Sequence, residues 1–159
     1  MKNSLQFSDT VHIISYIAIY QNSDRLSSIN IAESVQTNPT NVRKIMGNLR
    51  NAGLIKTING RPTPSIAKEI NEISFYDIYQ SLDNKELFQI DTNTESKCVV
   101  GGNIQEILQE EYAILQATVE KKMKEISLGS FLHQLAVSET KKRRKNDDIT
   151  RDFLKKSQE

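Results

Sequence analysis

Hydrophobic positions in the first half of the chain recur at helical spacing, interrupted once by a short stretch with strand character. Residues three and four apart share one face of a helix, so this spacing predicts amphipathic helices with one buried side. The clearest case is the segment 39–51, where Val42, Ile45, Met46 and Leu49 follow the pattern without a gap. The helices predicted in this half are 9–20, 29–35, 39–51 and 75–82.

Residues with known capping preferences stand at the ends of these predicted helices. Asn38 precedes Pro39, and this pair suits a helix start because asparagine accepts a hydrogen bond from the first turn and proline lacks an N–H that would stay unpaired. Gly53 is typical of the position just after a helix. The predicted N-caps are Ser8, Ser27 or Ser28, Asn38 and Ser74.

A hairpin is predicted between the third and fourth helices. Residues 54–58 read as a strand, Asn59-Gly60 is a turn dipeptide, and 65–67 can return as a second strand. We expect 61–64, which contains two prolines, to form a stiff tip. The order helix, helix, turn, helix, hairpin predicts a winged helix-turn-helix, a fold class that is mainly α with a small β-hairpin.

The second half predicts a long helix behind a linker. The helix should begin at Asn103, with Glu106 as the partner in a capping box, and run to about residue 126. At this length it would extend about 34 Å, beyond a small domain. The predicted organisation is a DNA-binding domain (1–82), a linker loop with Cys98 (83–102), a dimerisation helix and a short following helix (103–137), and a basic, flexible or partly helical tail (138–159).

The long helix carries apolar residues on two sides. Its length and this pattern favour a seam between two copies of the chain, although a packing helix within a monomer is the other interpretation. The residues predicted at the dimer interface are Ile104, Ile107, Leu108, Leu115, Val119 and Met123.

The net charge of +1 conceals three blocks of charge. Residues 1–68 carry net +5, 69–111 net −8 and 112–159 net +4. No acid stands between Glu33 and Glu69, a window with six lysines and arginines. Because carboxylates near a phosphate backbone weaken binding, this window favours a polyanionic partner. Chance clustering on a solvated face is the alternative.

The polar side of the third predicted helix fits the major groove of DNA, where asparagine can pair with adenine and arginine with guanine. Arg61 at the hairpin could reach phosphate or the minor groove. These side chains could instead merely solvate an exposed helix. The predicted DNA-binding residues are Ser28, Asn38, Thr40, Asn41, Arg43, Lys44, Asn48 and Arg61.

Other classes of protein are disfavoured. No stretch approaches the roughly 18 apolar residues of a membrane span, and no signal peptide is evident, so a cytoplasmic protein without a membrane partner is expected. The two histidines, His12 and His133, belong to no catalytic or metal-binding spacing, so neither an enzyme nor a metal site is expected. The single cysteine, Cys98, excludes an intrachain disulfide, and no cofactor is expected.

Ordered motifs within about 1–136 resemble a known family. They are IAESV at 31–35, NPTNVRKI at 38–45, LRNAGLI at 49–55, EISFYDI at 72–78, KCVVG at 97–101 and SL at 127–128. Together they resemble the Rrf-two family of bacterial winged-helix regulators, which includes the iron–sulfur cluster regulator, and most of all its YwnA-like branch. The resemblance implies a homodimer with crossed long helices, an operator of two half-sites in double-stranded DNA, and repression of transcription.

Two departures from that family bear on function. Its cluster-binding members have three cysteines near the start of the long helix, whereas an iron–sulfur centre here would have only Cys98, so no cluster is expected. Residues 62–65, PTPS, replace the usual glycine run of the wing. Cys98 stays a redox candidate, since Lys97 and the nearby helix start could lower its pKa, although the acidic Asp91 and Glu95 work against a low value. An inert, inherited cysteine is the alternative.

The sequence therefore predicts a homodimeric DNA-binding transcription regulator, a repressor by resemblance, with redox control through Cys98 left open. The alternative is a protein-interaction module in which a winged-helix dimer docks an acidic protein. Only DNA binding predicts a steep loss of affinity with salt.

Overall fold

A computed structural model describes residues 2–21, 23–58, 61–142 and 147–156. It confirms the predicted fold class, because a helix-turn-helix and a hairpin precede one long helix. The helices are α1 (Lys2–Ile19), α2 (Ser28–Val35), α3 (Pro39–Asn51), α4 (Phe75–Gln80), α5 (Ile104–Lys124), α6 (Leu128–Lys142) and α7 (Asp147–Lys156). Strands β1 (Ile55–Ile58) and β2 (Arg61–Ile66) form the antiparallel hairpin, and a 3-10 turn covers Ile70–Glu72.

The hydrophobic core is built around α1. Ile13, Ile14 and Ile17 are fully buried, and α2, α3, β1 and α4 each add buried aliphatic side chains. Leu128 and Leu132 of α6 also join this core, so the chain returns to it after α5. The helices of the helix-turn-helix thus pack on one shared hydrophobic core, which determines which of their residues face solvent.

Two starts of elements were predicted wrongly. The first helix begins at Lys2, so Ser8 lies inside it, because Phe7 packs edge-on against Phe75 and Tyr79 at 5.9 and 6.0 Å between ring centres. The second strand begins at Arg61, so 61–64 is strand and not a separate tip. Its prolines are tolerated because a two-stranded hairpin has only edge strands. The predicted Asn59-Gly60 turn lies outside the described residues.

The predicted caps Ser27, Asn38 and Ser74 are confirmed. The capping box expected at the start of α5 is wrong: Asn103 makes no side-chain cap, and its amide instead donates to the Val99 carbonyl oxygen at 2.7 Å. That bond uses the side chain that the box would need.

The C-terminal region is more helical than predicted. α6 runs to Lys142, well past the short helix that was expected, and α7 follows within the segment predicted as tail. Phe153 of α7 packs against the core. Part of the basic run Lys141 to Lys145 lies outside the described residues. The described residues contain no helix that could span a lipid bilayer.

Candidate nucleic-acid interface

The helix-turn-helix consists of α2, a tight turn and α3. Ser27 accepts a hydrogen bond from the backbone N–H of Asn30 at 3.1 Å, which caps α2. Gln36 ends α2 in the left-handed region, with φ 59°, and its N–H donates to the Ala32 carbonyl oxygen. The turn reverses the chain, and Asn38 caps the next helix. Local hydrogen bonds thus set the angle at which α3 leaves α2.

The buried stripe of α3 determines which side of the helix faces solvent. Val42, Ile45 and Leu49 are at most 1% exposed. At 100° per residue, the opposite side of the helix and its flanks carry polar, cationic and small residues. This surface, the outer face of α3, comprises Thr40, Arg43, Lys44, Gly47, Asn48, Arg50 and Asn51.

Arg43 is held by two hydroxyl groups across the helix-turn-helix. Its guanidinium donates to Ser28 Oγ at 3.3 Å and to Thr40 Oγ1 at 3.2 Å. Neither partner is charged, so the positive charge of Arg43 is not neutralised by them. Three of the predicted DNA-binding residues therefore form one exposed cluster at the junction of α2 and α3.

Lys44 and Asn48 are both bonded to Asp83, at the start of the linker after α4. Lys44 Nζ lies 2.7 Å from Asp83 Oδ2, and Asn48 Nδ2 donates to Asp83 Oδ1 at 3.0 Å. The hydrogen bond from Lys44 is the main reason why the pKa of Asp83 lies below its ordinary value; desolvation opposes it, and the bond from Asn48 assists it. The sequence carried no signal for this contact, which depends on tertiary packing.

The two other predicted asparagines serve the fold. Asn38 Oδ1 accepts from the Asn41 backbone N–H at 2.8 Å, and the Asn41 amide donates to Thr37 Oγ1 at 3.2 Å. Both side chains therefore stabilise the start of α3, whatever their contact with DNA.

Gly47 and Arg50 also lie on the outer face of α3, although sequence reasoning did not select them. A Cβ built on Gly47 would meet nothing within 4 Å. A helix-interior glycine costs about 1 kcal/mol relative to alanine, and no contact among the described residues requires one at this position. The acid-free window could have identified Arg50, which is exposed beside it.

The wing lies directly after α3. Its register pairs Ile55 with Ile66 and Ile58 with Arg61. Arg61 therefore begins β2 next to the turn, but its side chain lies outside what the structure describes. A cleft of about 690 Å³ lies beside the wing, and its lining includes Lys56 together with other cationic residues and with acidic residues.

Helix α5 exposes apolar surface, and none of its residues is buried. Ile107 and Leu115, both predicted at the interface, are 56% and 46% exposed. Ile114, which the prediction omitted, is 62% exposed. The other predicted interface residues, all half-buried, are Ile104, Leu108, Val119 and Met123. Ile104, Ile107, Ile114 and Leu115 make up the apolar strip of α5.

Gln116 fastens α5 to the winged-helix domain. Its amide donates to Tyr79 Oη at 2.7 Å and to the Lys85 carbonyl oxygen at 3.0 Å, and its carbonyl accepts from the Leu87 N–H at 3.1 Å. These bonds link α5 both to α4 and to the linker. Polar contacts thus help to set the position of α5, while Ile107, Ile114 and Leu115 of its apolar strip stay exposed within the described subunit.

Cys98 is exposed in a tight loop before α5. Hydrogen bonds from the backbone N–H groups of Gly101 and Val100 lower the pKa of its thiol below the ordinary value. A lowered pKa of Cys98 agrees with the expectation from the sequence, but it is caused by the backbone of the loop and not by Lys97. A Cβ on Gly101 would collide with the Glu95 carbonyl, so this position of the loop needs glycine.

Comparisons with known proteins agree with this architecture. The model of a family described as Rrf2, iron-dependent transcriptional regulator, matches residues 3–134. A crystal structure of a candidate DNA-binding protein is 28% identical, with a TM-score of 0.61, and the match covers 77% of this chain and 95% of that one. The structure of T. potens IscR is 18% identical, with a TM-score of 0.60 and coverage of 82% and 85%, which shows a shared fold.

The iron in that family description does not fit the donors of this chain. An iron–sulfur cluster needs about four ligands, mostly thiolates, and the sequence has one cysteine. Within the described residues, no three His, Cys, Asp or Glu side chains gather where they could hold a metal ion.

A relative in Bacillus subtilis (strain 168) extends the comparison. YwnA, a candidate HTH-type transcriptional regulator, is 32% identical over 126 residues, which cover 79% of this chain and 92% of YwnA. The family regulates transcription and is not enzymatic, which confirms the expectation that this chain is not an enzyme. With the helix-turn-helix, the wing and the long helix in place, the chain belongs to the Rrf2 (Rrf-two) family of winged-helix transcriptional regulators.

Proposed function

We propose that this regulator binds double-stranded operator DNA as a homodimer in the cytoplasm and represses transcription by occupying the promoter. The observation that carries the proposal is the outer face of α3, whose other side is buried in the core. Arg43 and Arg50 are exposed on it, and α3 itself contains no acid. A capped helix of this shape and charge suits the major groove, which admits an α-helix between two lines of phosphate.

Within this surface, Arg43 is the residue we expect to read bases. A guanidinium can donate two hydrogen bonds to the O6 and N7 atoms of guanine. Ser28 and Thr40 orient it and can also donate to phosphate oxygens. Arg61 at the wing is expected at phosphate or in the minor groove.

A second copy of the chain is the proposed cover for the apolar strip of α5. Burying an exposed isoleucine fully yields about 1.5–3 kcal/mol, and a twofold dimer buries each residue twice. Such a dimer presents two outer faces of α3. The operator should then contain two half-sites about 34 Å, one DNA turn, or a multiple of it, apart.

Cys98 is the candidate for a signal. An exposed thiol with a lowered pKa is more readily a thiolate, which hydrogen peroxide oxidises to a sulfenic acid while hydroxide leaves. We expect peroxide to change the DNA affinity of the wild type but not that of Cys98→Ser. Equal affinities with and without peroxide would exclude this sensor and leave DNA binding untouched.

Recovery of bound DNA across the genome of the source organism tests the main proposal. The recovered fragments should share a sequence with two half-sites. On such a site Arg43→Ala should lose about 1–3 kcal/mol per lost base contact, roughly 5- to 150-fold. Lys97→Ala removes an exposed positive charge from the loop before α5, outside the helix-turn-helix, and should bind as the wild type does. Recovery of an acidic protein without DNA would refute the proposal in favour of an interaction module.

A further inference from the structure

The outer face of α3 is divided between two kinds of partner. Arg43 is bonded to neutral hydroxyls, whereas Lys44 and Asn48 share the carboxylate of Asp83. Asp83 is not part of α3, and it comes from the linker behind α4. The Lys44 and Asp83 side chains are 60% and 50% exposed, so the pair lies at the surface and not in the core.

We propose that Asp83 is a specificity-determining residue, because it holds Lys44 and Asn48 and so confines DNA reading to the Arg43 side of the outer face of α3. The inference rests on the proposed function. The Asp83 oxygen takes up one of the hydrogen bonds of Lys44 Nζ that a phosphate oxygen would otherwise accept. Its own charge also repels an approaching phosphate.

The consequence falls mainly on non-specific binding. Non-specific affinity depends on the number of phosphates that lysines and arginines neutralise, whereas base contacts set sequence preference. A lysine already paired with a carboxylate neutralises one phosphate fewer. Asp83 therefore limits the part of the affinity that does not depend on sequence, and the base contacts of Arg43 then make up a larger share of operator binding.

The structure also holds Asp83 in place. The linker after Asp83 is anchored to α5 at two positions, because the Lys85 carbonyl and the Leu87 N–H both form hydrogen bonds with Gln116. The Asn84 side chain accepts from the Glu86 backbone N–H at 3.0 Å. The segment that follows Asp83 is thus fixed to α5, which restricts the positions that the carboxylate can take.

The test uses the full chain and a 30-base-pair duplex of random sequence, titrated over a series of NaCl concentrations. Asp83→Asn has nearly the same size and can still accept from Asn48. We expect it to bind about tenfold tighter as a dimer, about threefold per subunit, because an exposed pair is weak. The slope of log K against log salt should steepen by about 1.8, or 0.9 for each newly contacted phosphate.

Lys44 supplies the second arm of the test. Lys44→Ala alone should change affinity by less than about twofold, since the lysine is already paired. In the double variant Asp83→Asn, Lys44→Ala, the salt slope should return to that of the wild type. Asp91→Asn is the matched control, because it removes the same charge from the same linker, and it should bind as the wild type does.

The outcomes separate this inference from the proposed function. If the wild type binds the duplex with a steep salt slope but Asp83→Asn has an unchanged slope, the role of Asp83 is refuted and DNA binding stands. Loss of binding in Lys44→Ala as large as in Arg43→Ala would refute it equally. A wild type without salt-dependent binding would refute the proposed function, and this inference with it.

Discussion

Replacing Gly47 by alanine should change folding stability and DNA binding in opposite directions. The residue lies inside α3, and a Cβ on it would meet nothing within 4 Å. Alanine should therefore fit without strain. Because glycine loses more backbone entropy in a helix, the free energy of unfolding should rise by about 0.5–1 kcal/mol.

The same methyl group would stand on the outer face of α3, where the duplex is proposed to approach. Leucine has nearly the helix propensity of alanine but is much larger, so Gly47→Leu separates the two effects. Forcing extra atoms into a close-packed contact costs roughly 1–3 kcal/mol. We therefore expect Gly47→Leu to bind the operator about 5- to 150-fold more weakly, and Gly47→Ala to show a smaller loss.

Two measurements on each variant decide this. Urea unfolding followed by circular dichroism gives the free energy of unfolding, and fluorescence anisotropy with a labelled operator gives the affinity. If Gly47→Leu bound as tightly as the wild type, the duplex could not approach this face closely. If Gly47→Ala were less stable than the wild type, the glycine would be required for folding of the subunit, and its presence would not be evidence for DNA contact.

Three further predictions concern the dimer and the fold. Ile114→Ala should weaken dimerisation by about 2–4 kcal/mol, because this residue is 62% exposed in the subunit and a twofold dimer would bury it twice. Sedimentation at several protein concentrations would measure the change. Gln109→Ala, on another side of α5, should leave dimerisation unchanged, and equal effects of the two variants would argue against the apolar strip as the dimer interface. Ser74→Ala removes the cap of α4 and should lower the free energy of unfolding by about 1 kcal/mol in urea; no change would mean that the capping box contributes nothing. Burial, opposed by the charge of Asp9, lowers the pKa of His12 below 6.5, so the unfolded chain binds the proton first and stability should fall as pH falls through 6.5. His12→Gln should flatten that slope, and an unchanged slope in the variant would count against the assignment.

Local signals were enough to predict the helix-turn-helix. The bounds of α3 agree with prediction because Asn38 and Pro39 define its start, and its apolar stripe is uninterrupted. The start of α1 was missed because it depends on Phe7 packing against rings from α4, which are distant in sequence. The start of β2 differs from the prediction because the two prolines in 61–64 favour a stiff turn, whereas the edge strands of a hairpin also tolerate them.

The interface was predictable only in part, for a similar reason. Arg43 and Thr40 follow from helical spacing within α3, so the pattern alone selected them. Asp83 is 35 residues from Asn48, and only the packing of α4 brings them together. The exposure of Ile114 likewise depends on how Gln116 orients α5, and apolar spacing could not rank it above its neighbours.

Cross-linking from α3 to DNA tests the central claim most directly. In a Cys98→Ser background, Thr40→Cys and Gln109→Cys each provide one thiol for a photoactivated cross-linker, on α3 and on α5 respectively. We predict that the probe at position 40 becomes attached to bases within the half-sites of the operator, and that the probe at position 109 does not. Attachment from position 109 alone, or none from position 40 while the protein remains bound, would contradict the docking of α3 in the groove.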